Sequence, residues 1–295
     1  MRQPRPFRNI LAPTDFSTSS EAIVDHVAGL ANTFGAKVWL LNVVPSLVDF
    51  HGVSENYFGP FSEEALIRLE QERKTLAVER LERLEWIRKA HFTLVMSEAC
   101  VKLGGVAESI VDYAAEIKAD LIMMPTRGLG PMRRFLIGSV TAKVLHDSCC
   151  PIWTSPHPRE LEPFRPYRRI VLATDYRELH PDLLVRAFEM AECLHAQLSV
   201  LSAVPPHGIP GDEVVQKHNR EIADRLRGQI ADQNVTASVH VMEGNPGEVV
   251  RQVAEEIEEA DLVVIGRGHL EESMGHLRTH AYEIICNAPC PVITL

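Results

Sequence analysis

Two glycines and a serine carry the clearest chemistry in this chain. Gly128 and Gly138 are separated by nine residues, and Ser139 follows at the start of a stretch with apolar helical periodicity. A glycine followed by serine at a helix start leaves unpaired backbone N–H groups facing open space. With the helix dipole behind them, such groups favour an anion. Phosphate is the natural occupant, because the Ser139 hydroxyl can donate and Gly128 lets the backbone approach a ligand without a Cβ in the way. Thr141 adds a second hydroxyl, while Pro125, just before the loop, fixes φ and removes a backbone donor. Arg133 and Arg134 are either solvated loop charges or counter-charges to a polyphosphate.

Other reactive residues fit less specific roles. Asp15 and Asp175 end two similar stretches, Arg8–Asp15 and Arg168–Asp175, and an aspartate there can cap the helix that follows. Capping is the reading adopted for Asp175, and ligand contact for Asp15, whose half keeps its glycine loop. His269, His276 and His280 are spaced x6 and x3, so the last pair falls one helical turn apart, a possible metal arrangement. No cysteine or carboxylate of obvious ligand geometry joins them, which favours surface or interface histidines. The six cysteines, with Cys149 and Cys150 vicinal, lie mostly in or beside apolar segments and suit reduced core thiols. There is no Walker loop, no His-x-Gly-His element and no carboxylate pair for Mg²⁺ beside the loop.

These residues need a scaffold, and the chain spells one out twice. The aspartates of the two stretches are 175 − 15 = 160 positions apart, and Ala119-Asp120-Leu121 and Ala260-Asp261-Leu262 are 261 − 120 = 141 apart. Short apolar runs alternate with amphipathic stretches, the pattern of a parallel sheet covered by helices. Strands are expected at Ile10–Pro13, Val38–Val44, Thr93–Glu98, Leu121–Met124 and Ile152–Thr154, then at Ile170–Ala173, Leu198–Val204, Ser238–Met242, Leu262–Ile265 and Val292–Leu295. Helices are expected at Ser19–Phe34, Val106–Lys118 and Ser139–His146, and at His180–His195, Pro246–Glu259 and Leu277–Asn287. The roughly 20 extra residues of the first copy feed a charged helix, Ser62–Ala90, with a narrow stripe of Leu66, Leu69, Leu76, Leu84 and Ile87. That helix reads as a solvated one packed by one stripe, with a partner or lid surface as the sharper alternative. The domains expected are 1–155 and 168–295, joined by a proline-rich, semi-rigid linker at 156–167.

The sequence of 295 residues is long enough for two cores, and its net charge of −10 opposes nucleic-acid binding. No signal peptide or bilayer-length apolar run is evident, so a soluble, cytoplasmic protein with no membrane partner is expected.

Pro13-Thr14-Asp15-Phe16-Ser17, together with the glycine loop, resembles the universal stress protein family in tandem form, over nearly the whole chain. That resemblance implies two α/β, flavodoxin-like domains of the adenine nucleotide alpha hydrolase-like type, each a five-stranded parallel sheet of order 3-2-1-4-5 with helices on both faces. It implies ATP, with or without Mg²⁺, in the first domain. Asp15 would meet the nucleoside, Val43 would line the adenine pocket, and Gly128, Gly138, Ser139 and Val140 would hold the phosphates. Pro13, Thr14, Met124, Arg127 and Thr141 complete the implied contact set. Pro125 departs from the family pattern, which has glycine there.

In the second copy Gly266 matches the first glycine of the pattern, with His269 at the second and Thr279-His280 in place of Gly138-Ser139. Side chains of that bulk would fill the phosphate space, so no ATP is expected in this half. Three functional readings follow: a nucleotide-binding regulatory protein of the stress response, at most weakly hydrolytic; an ATP-consuming hydrolase or nucleotidyl transferase on a similar frame; or an interaction module working through its pseudo-dimer surface. The two halves are expected to pair antiparallel through Ile152–Thr154 and Val292–Leu295 as a pseudo-dimer, since both strands would otherwise be open edges. A homodimer of such chains is left open.

Overall fold

A computed structural model describes residues 6–45, 63–127, 137–155, 161–175, 179–206, 213–266 and 279–295. The first half contributes β1 (Asn9–Pro13), β2 (Lys37–Pro45), β3 (Ser97–Gly104), β4 (Leu121–Pro125) and β5 (Ile152–Ser155). The second contributes β6 (Arg169–Thr174), β7 (Gln197–Val204), β8 (Ser238–Glu243), β9 (Leu262–Ile265) and β10 (Val292–Thr294). They form one ten-stranded sheet in the order β3-β2-β1-β4-β5-β10-β9-β6-β7-β8, which is 3-2-1-4-5 in each half, as expected. Pairing is parallel within each half.

The halves meet antiparallel at β5 and β10, with Ile152 opposite Thr294, Trp153 opposite Ile293 and Thr154 opposite Val292. Thr154 Oγ1 donates to Val292 O and Thr294 Oγ1 to Ile152 O, each at 3.3 Å, a reciprocal pair across the seam. Strand donors that would have been exposed at two edges are thereby consumed.

Helices cover both faces of the sheet. They are α1 (Thr18–Ala22), α2 (Val24–Phe34), α3 (Glu63–His91), α4 (Val106–Glu116), α5 (Ser139–Asp147), α6 (Pro181–Leu194), α7 (Glu213–Asp232), α8 (Pro246–Gln252) and α9 (Thr279–Asn287). α2 stops at Gly35, in the left-handed region with φ 63°, and α6 stops the same way at His195 with φ 53°. Each face of the sheet carries one apolar cluster, and each cluster runs through both halves. The strands nearest the seam are buried on both sides, so their near-continuous Ile, Val, Leu and Met content is what a parallel sheet of this kind demands. Asp120 accepts from the amides of Arg8 and Asn9 at 2.8 and 2.9 Å, and Asp261 accepts from those of Arg168 and Arg169 at 2.7 and 2.9 Å. The repeated Ala-Asp-Leu landmark therefore anchors the first strand of each half.

Four expectations need correction. The third strand is Ser97–Gly104, not Thr93–Glu98, with Ser97 opposite Val38 and Gly104 opposite Pro45. The apolar run that suggested the earlier position is spent outside the strand, where Leu94 and Met96 are 83% and 74% exposed. An edge strand covered only in part needs no continuous apolar run, so β3 is made of mixed residues. The second half also has its own long helix, α7, whose Val215, Ile222, Leu226 and Ile230 are buried. The first copy's excess is thus a longer helix and connection, not an added element. Pro246–Glu259 is not one α-helix: α8 ends at Gln252 and continues as a π turn over Val253–Ile257. In α3, Leu84 and Ile87 are buried while Leu69 and Leu76 are only half-buried; the Leu66 side chain lies outside what is described.

The fourth correction concerns the linker, whose described residues 161–167 pack on the first domain. The Phe164 ring stands edge-on to His26 with centroids 5.5 Å apart. It also fills the space over Gly29, where a Cβ would come within 2.1 Å of the ring. Tyr167 is buried, with Trp153 Nε1 donating to its Oη at 3.1 Å and His26 Nδ1 at 3.2 Å from it. His26 Nε2 meets Glu162 O at 2.8 Å. Proline content announced a spacer, but two aromatic anchors without periodicity make a strap instead.

Candidate functional site

The described residues proposed from sequence lie at or just beyond the carboxyl ends of β1, β2 and β4 and at the start of α5, the edge where open α/β sheets place ligands. The Thr14 amide donates to Leu41 O at 2.8 Å, and Asn42 Nδ2 donates to Thr14 O at 2.7 Å, so the chain leaving β1 is pinned to β2 through both peptide units that flank Thr14. Phe16 then takes φ 59°, its amide donating to Thr14 Oγ1 at 3.0 Å. Asp15 Oδ1 accepts from the Ser17 amide at 3.0 Å and from Ser20 Oγ at 2.6 Å. Burial raises the Asp15 pKa, but the hydrogen bonds from Ser17 and Ser20 together outweigh it, and the carboxyl stays below its ordinary value. It is an anion at neutral pH. Asp15 is not the cap of α1, whose N-cap is Ser17 with its own hydroxyl accepting from the Ser20 amide; Asp15 instead braces that cap residue, and doing so occupies one oxygen. Pro13 is buried at the end of β1, and Val43 is half-buried on β2 opposite Lys102.

The glycine loop enters from β4 and leaves into α5. Gly138 is the N-cap of α5 with φ −64° and ψ 149°, and as a glycine it has no side chain to cap that terminus. The Gly138 amide donates to Thr126 O at 2.8 Å, and Thr141 Oγ1 donates to Pro125 O at 3.0 Å. These two bonds close the mouth of the loop from residue 126 to residue 138. Thr141 is buried and its hydroxyl is spent on Pro125, which makes it a positioning residue; Met124 is likewise buried in the core. Ser139 is exposed and Val140 half-buried. Gly128, Arg133 and Arg134 lie outside the described residues.

One further contact at this mouth comes from the other half. The Ile137 amide donates to Tyr282 Oη of α9 at 3.0 Å. Cys286, one turn further along α9, has its thiol pKa raised by burial, against the opposing influence of Arg127, Tyr282 and the Ile137 backbone around it. Tyr282 was missed from sequence, where nothing marks a helical tyrosine as a partner of a residue 145 positions away.

The second half keeps the frame and changes the contents. Ser202 Oγ donates to Thr174 O at 3.1 Å, taking the place of Asn42. The expected cap, Asp175, is not the N-cap residue of α6: that position is His180, which makes no side-chain cap bond, and Pro181 opens the helix. Gly266 is a packing glycine, since a Cβ there would meet Leu183 Cδ2 at 2.9 Å. The helices register one residue away from the alignment read in sequence. The Ser148 amide bonds to Val144 O and the Ala288 amide to Ile284 O, an offset of 288 − 148 = 140, so Thr279 matches Ser139 and His280 matches Val140. His280 Nδ1 lies 3.7 Å from Glu283 Oε2 on its own helix. His269 and His276 are outside the described residues, and among the described ones no group of three or more His, Cys, Asp or Glu could hold a metal ion. None of the six cysteines forms a disulfide.

The profile of the universal stress protein family matches residues 6–156 and again residues 166–295. The chain belongs to the universal stress protein family. It carries two universal stress domains in tandem. A universal stress protein of Methanocaldococcus jannaschii is 30% identical over 156 residues, 52% of this chain and 85% of that protein. One from Mycolicibacterium smegmatis is 25% identical over 268 residues, 87% of this chain and 86% of its own length. Among solved structures, a universal stress protein from Archaeoglobus fulgidus superposes with a TM-score of 0.64 at 18% identity, covering 98% of this chain and 96% of that one. At that identity the likeness establishes the fold. No helix among the described residues is long and apolar enough to cross a membrane.

Proposed function

We propose that the first universal stress domain binds one adenine nucleotide, ATP with or without Mg²⁺, and that the protein acts as a nucleotide-responsive regulator in the stress response. The observation that carries this reading is the start of α5: a helix terminus whose N-cap, Gly138, has no side chain to cap it, followed by the exposed Ser139, on the same sheet edge as the Asp15 carboxylate. Amides and a hydroxyl suit phosphate oxygens, and an anionic carboxylate with one oxygen already engaged by Ser17 and Ser20 suits a ribose hydroxyl through the other. No carboxylate pair stands beside Ser139 among the described residues, so Mg²⁺ would be held mainly by the phosphates and water. Leu183 packing over Gly266 favours an unliganded second domain.

Calorimetry with ATP tests this reading, with an expected stoichiometry near one per chain. Gly138→Val should abolish binding by placing a branched side chain where the backbone meets the phosphates. Two equivalent sites would overturn the asymmetry, and no binding would move the assignment to an interaction module. A specific observation favours that second reading. Ile67, Val78 and Leu81 of α3 are 54%, 59% and 39% exposed and share one side of the helix, roughly a third of a turn round from the buried Leu84 and Ile87.

A further inference from the structure

Among the described residues three hydrogen bonds hold the two ends of the glycine loop, and one of them crosses the domain boundary. Gly138 to Thr126 and Thr141 to Pro125 lie within the first domain, whereas Ile137 N–H donates to Tyr282 Oη of the second, at 3.0 Å. The Ile137 side chain is buried in the same apolar cluster as Ala281, Ile284 and Ile285 of α9, so both its backbone and its side chain are tied to that helix's side of the sheet. The contact cannot be returned. With the helices 140 residues apart, the position in α5 that matches Tyr282 is 282 − 140 = 142, and Ala142 offers no hydroxyl to the second domain's loop.

We propose that Tyr282 is a cross-domain positioning residue that holds the mouth of the first domain's phosphate loop, so that the second domain serves the first one's site instead of carrying its own. The amide it holds immediately precedes the N-cap of α5. Fixing Ile137 fixes the direction from which the chain enters the first turn, and hence where the Ser139 and Val140 amides point. Without Oη the Ile137 amide must find water or stay unpaired, and the loop exit gains freedom that a bound phosphate would have to remove.

The role in nucleotide binding rests on the reading given above, while the clamp itself does not, and the test separates them. Tyr282→Phe keeps the ring and its packing and removes only the oxygen. In the nucleotide-free full chain, residue-resolved hydrogen exchange should show the Ile137 amide exchanging roughly fivefold faster or more, with the amides of β1 and β2 unchanged and the thermal midpoint within a degree or two of the parent. ATP should bind the variant roughly fivefold more weakly by calorimetry. Unchanged exchange at Ile137 would overturn the clamp whatever ATP does. Faster exchange with undiminished ATP affinity would overturn the positioning role, and a uniform loss of protection would make Tyr282 a general core residue. If the parent chain binds no ATP, the proposed function fails and exchange alone decides whether the clamp exists.

Discussion

Replacing Tyr167 with phenylalanine should cost far more than a hydroxyl on a tether ordinarily does. Glu162 O can only accept, so His26 Nε2 carries the proton in that contact and Nδ1 is left as the acceptor for the Tyr167 hydroxyl. Trp153 Nε1–H in turn donates to the same Oη, giving a directed chain from Trp153 through Tyr167 and His26 to the strap backbone. All three side chains are at most 3% exposed. Deleting Oη strands two buried groups, the Trp153 donor and the His26 acceptor. At about 1–3 kcal/mol for each unsatisfied group the loss sums to roughly 2–6 kcal/mol, and to the lower end if a water occupies the vacated space. Urea unfolding followed by tryptophan fluorescence should show the midpoint falling with little change in slope. A double-mutant cycle with Trp153→Phe should be less than additive, because removing the indole N–H removes one of the stranded groups. A loss below about 1 kcal/mol, typical of an exposed side chain, would refute the claim that this chain of bonds ties the strap down.

Three further outcomes are expected. Burial holds the His26 pKa below its ordinary value, against the Glu162 carbonyl and Asp25, which raise it. Its stabilising contribution should then be complete above the unfolded pKa near 6.5 and lost as pH falls toward the lower folded value, by at most about 1.4 kcal/mol per pH unit; urea titrations in which His26→Gln steepens that acid-side loss, instead of flattening it, would contradict the assignment. Gly29→Ala should destabilise by about 1–3 kcal/mol through overpacking on the Phe164 ring, less the roughly 1 kcal/mol of helix propensity gained, and the penalty should vanish in a Phe164→Ala background. Phosphate release from ATP should be slow, on the order of less than one turnover per minute against roughly 10 per second for ordinary enzymes, because the loop sequence from Thr126 to Thr141 holds no Asp, Glu or His to serve as base or metal ligand; enzyme-like rates abolished by Gly138→Val would establish an ATPase.

The sheet could be read in advance because its central strands are buried on both faces and must be apolar throughout. The repeat then fixed their number, and the seam followed from the need to cover two edges. β3 escaped because an edge strand tolerates Glu98 and Lys102 beside Cys100 and Val101, while the more apolar Leu94-Val95-Met96 run precedes it. α7 did carry a signal, with Ile222, Leu226 and Ile230 four residues apart among charged neighbours, and its low mean apolarity hid it. At the site, Asp15 and Gly138 stood out by type and spacing. Asn42, Leu183 and Tyr282 did not, since each acts through a contact that only the folded chain creates. The strap was misjudged for the same reason: Phe164 and Tyr167 are isolated aromatics whose partners, Gly29, His26 and Trp153, lie on other elements.

The antiparallel seam has a consequence for how the chain can vary. In a two-fold dimer of identical subunits, a residue on the axis must face its own copy, and every other contact is written twice by the same codon. Here Trp153 lies on that pseudo-axis and faces Ile293, with Ile152 and Thr154 opposite Thr294 and Val292 on either side. A homodimer would have to seat two indoles or two sec-butyl groups at that point. The fused chain instead sets a large ring against a smaller branched group, and the indole N–H is free to find Tyr167 on one side alone. Joining the halves covalently released the axis from self-complementarity, so substitutions on the two sides of the seam can be selected separately.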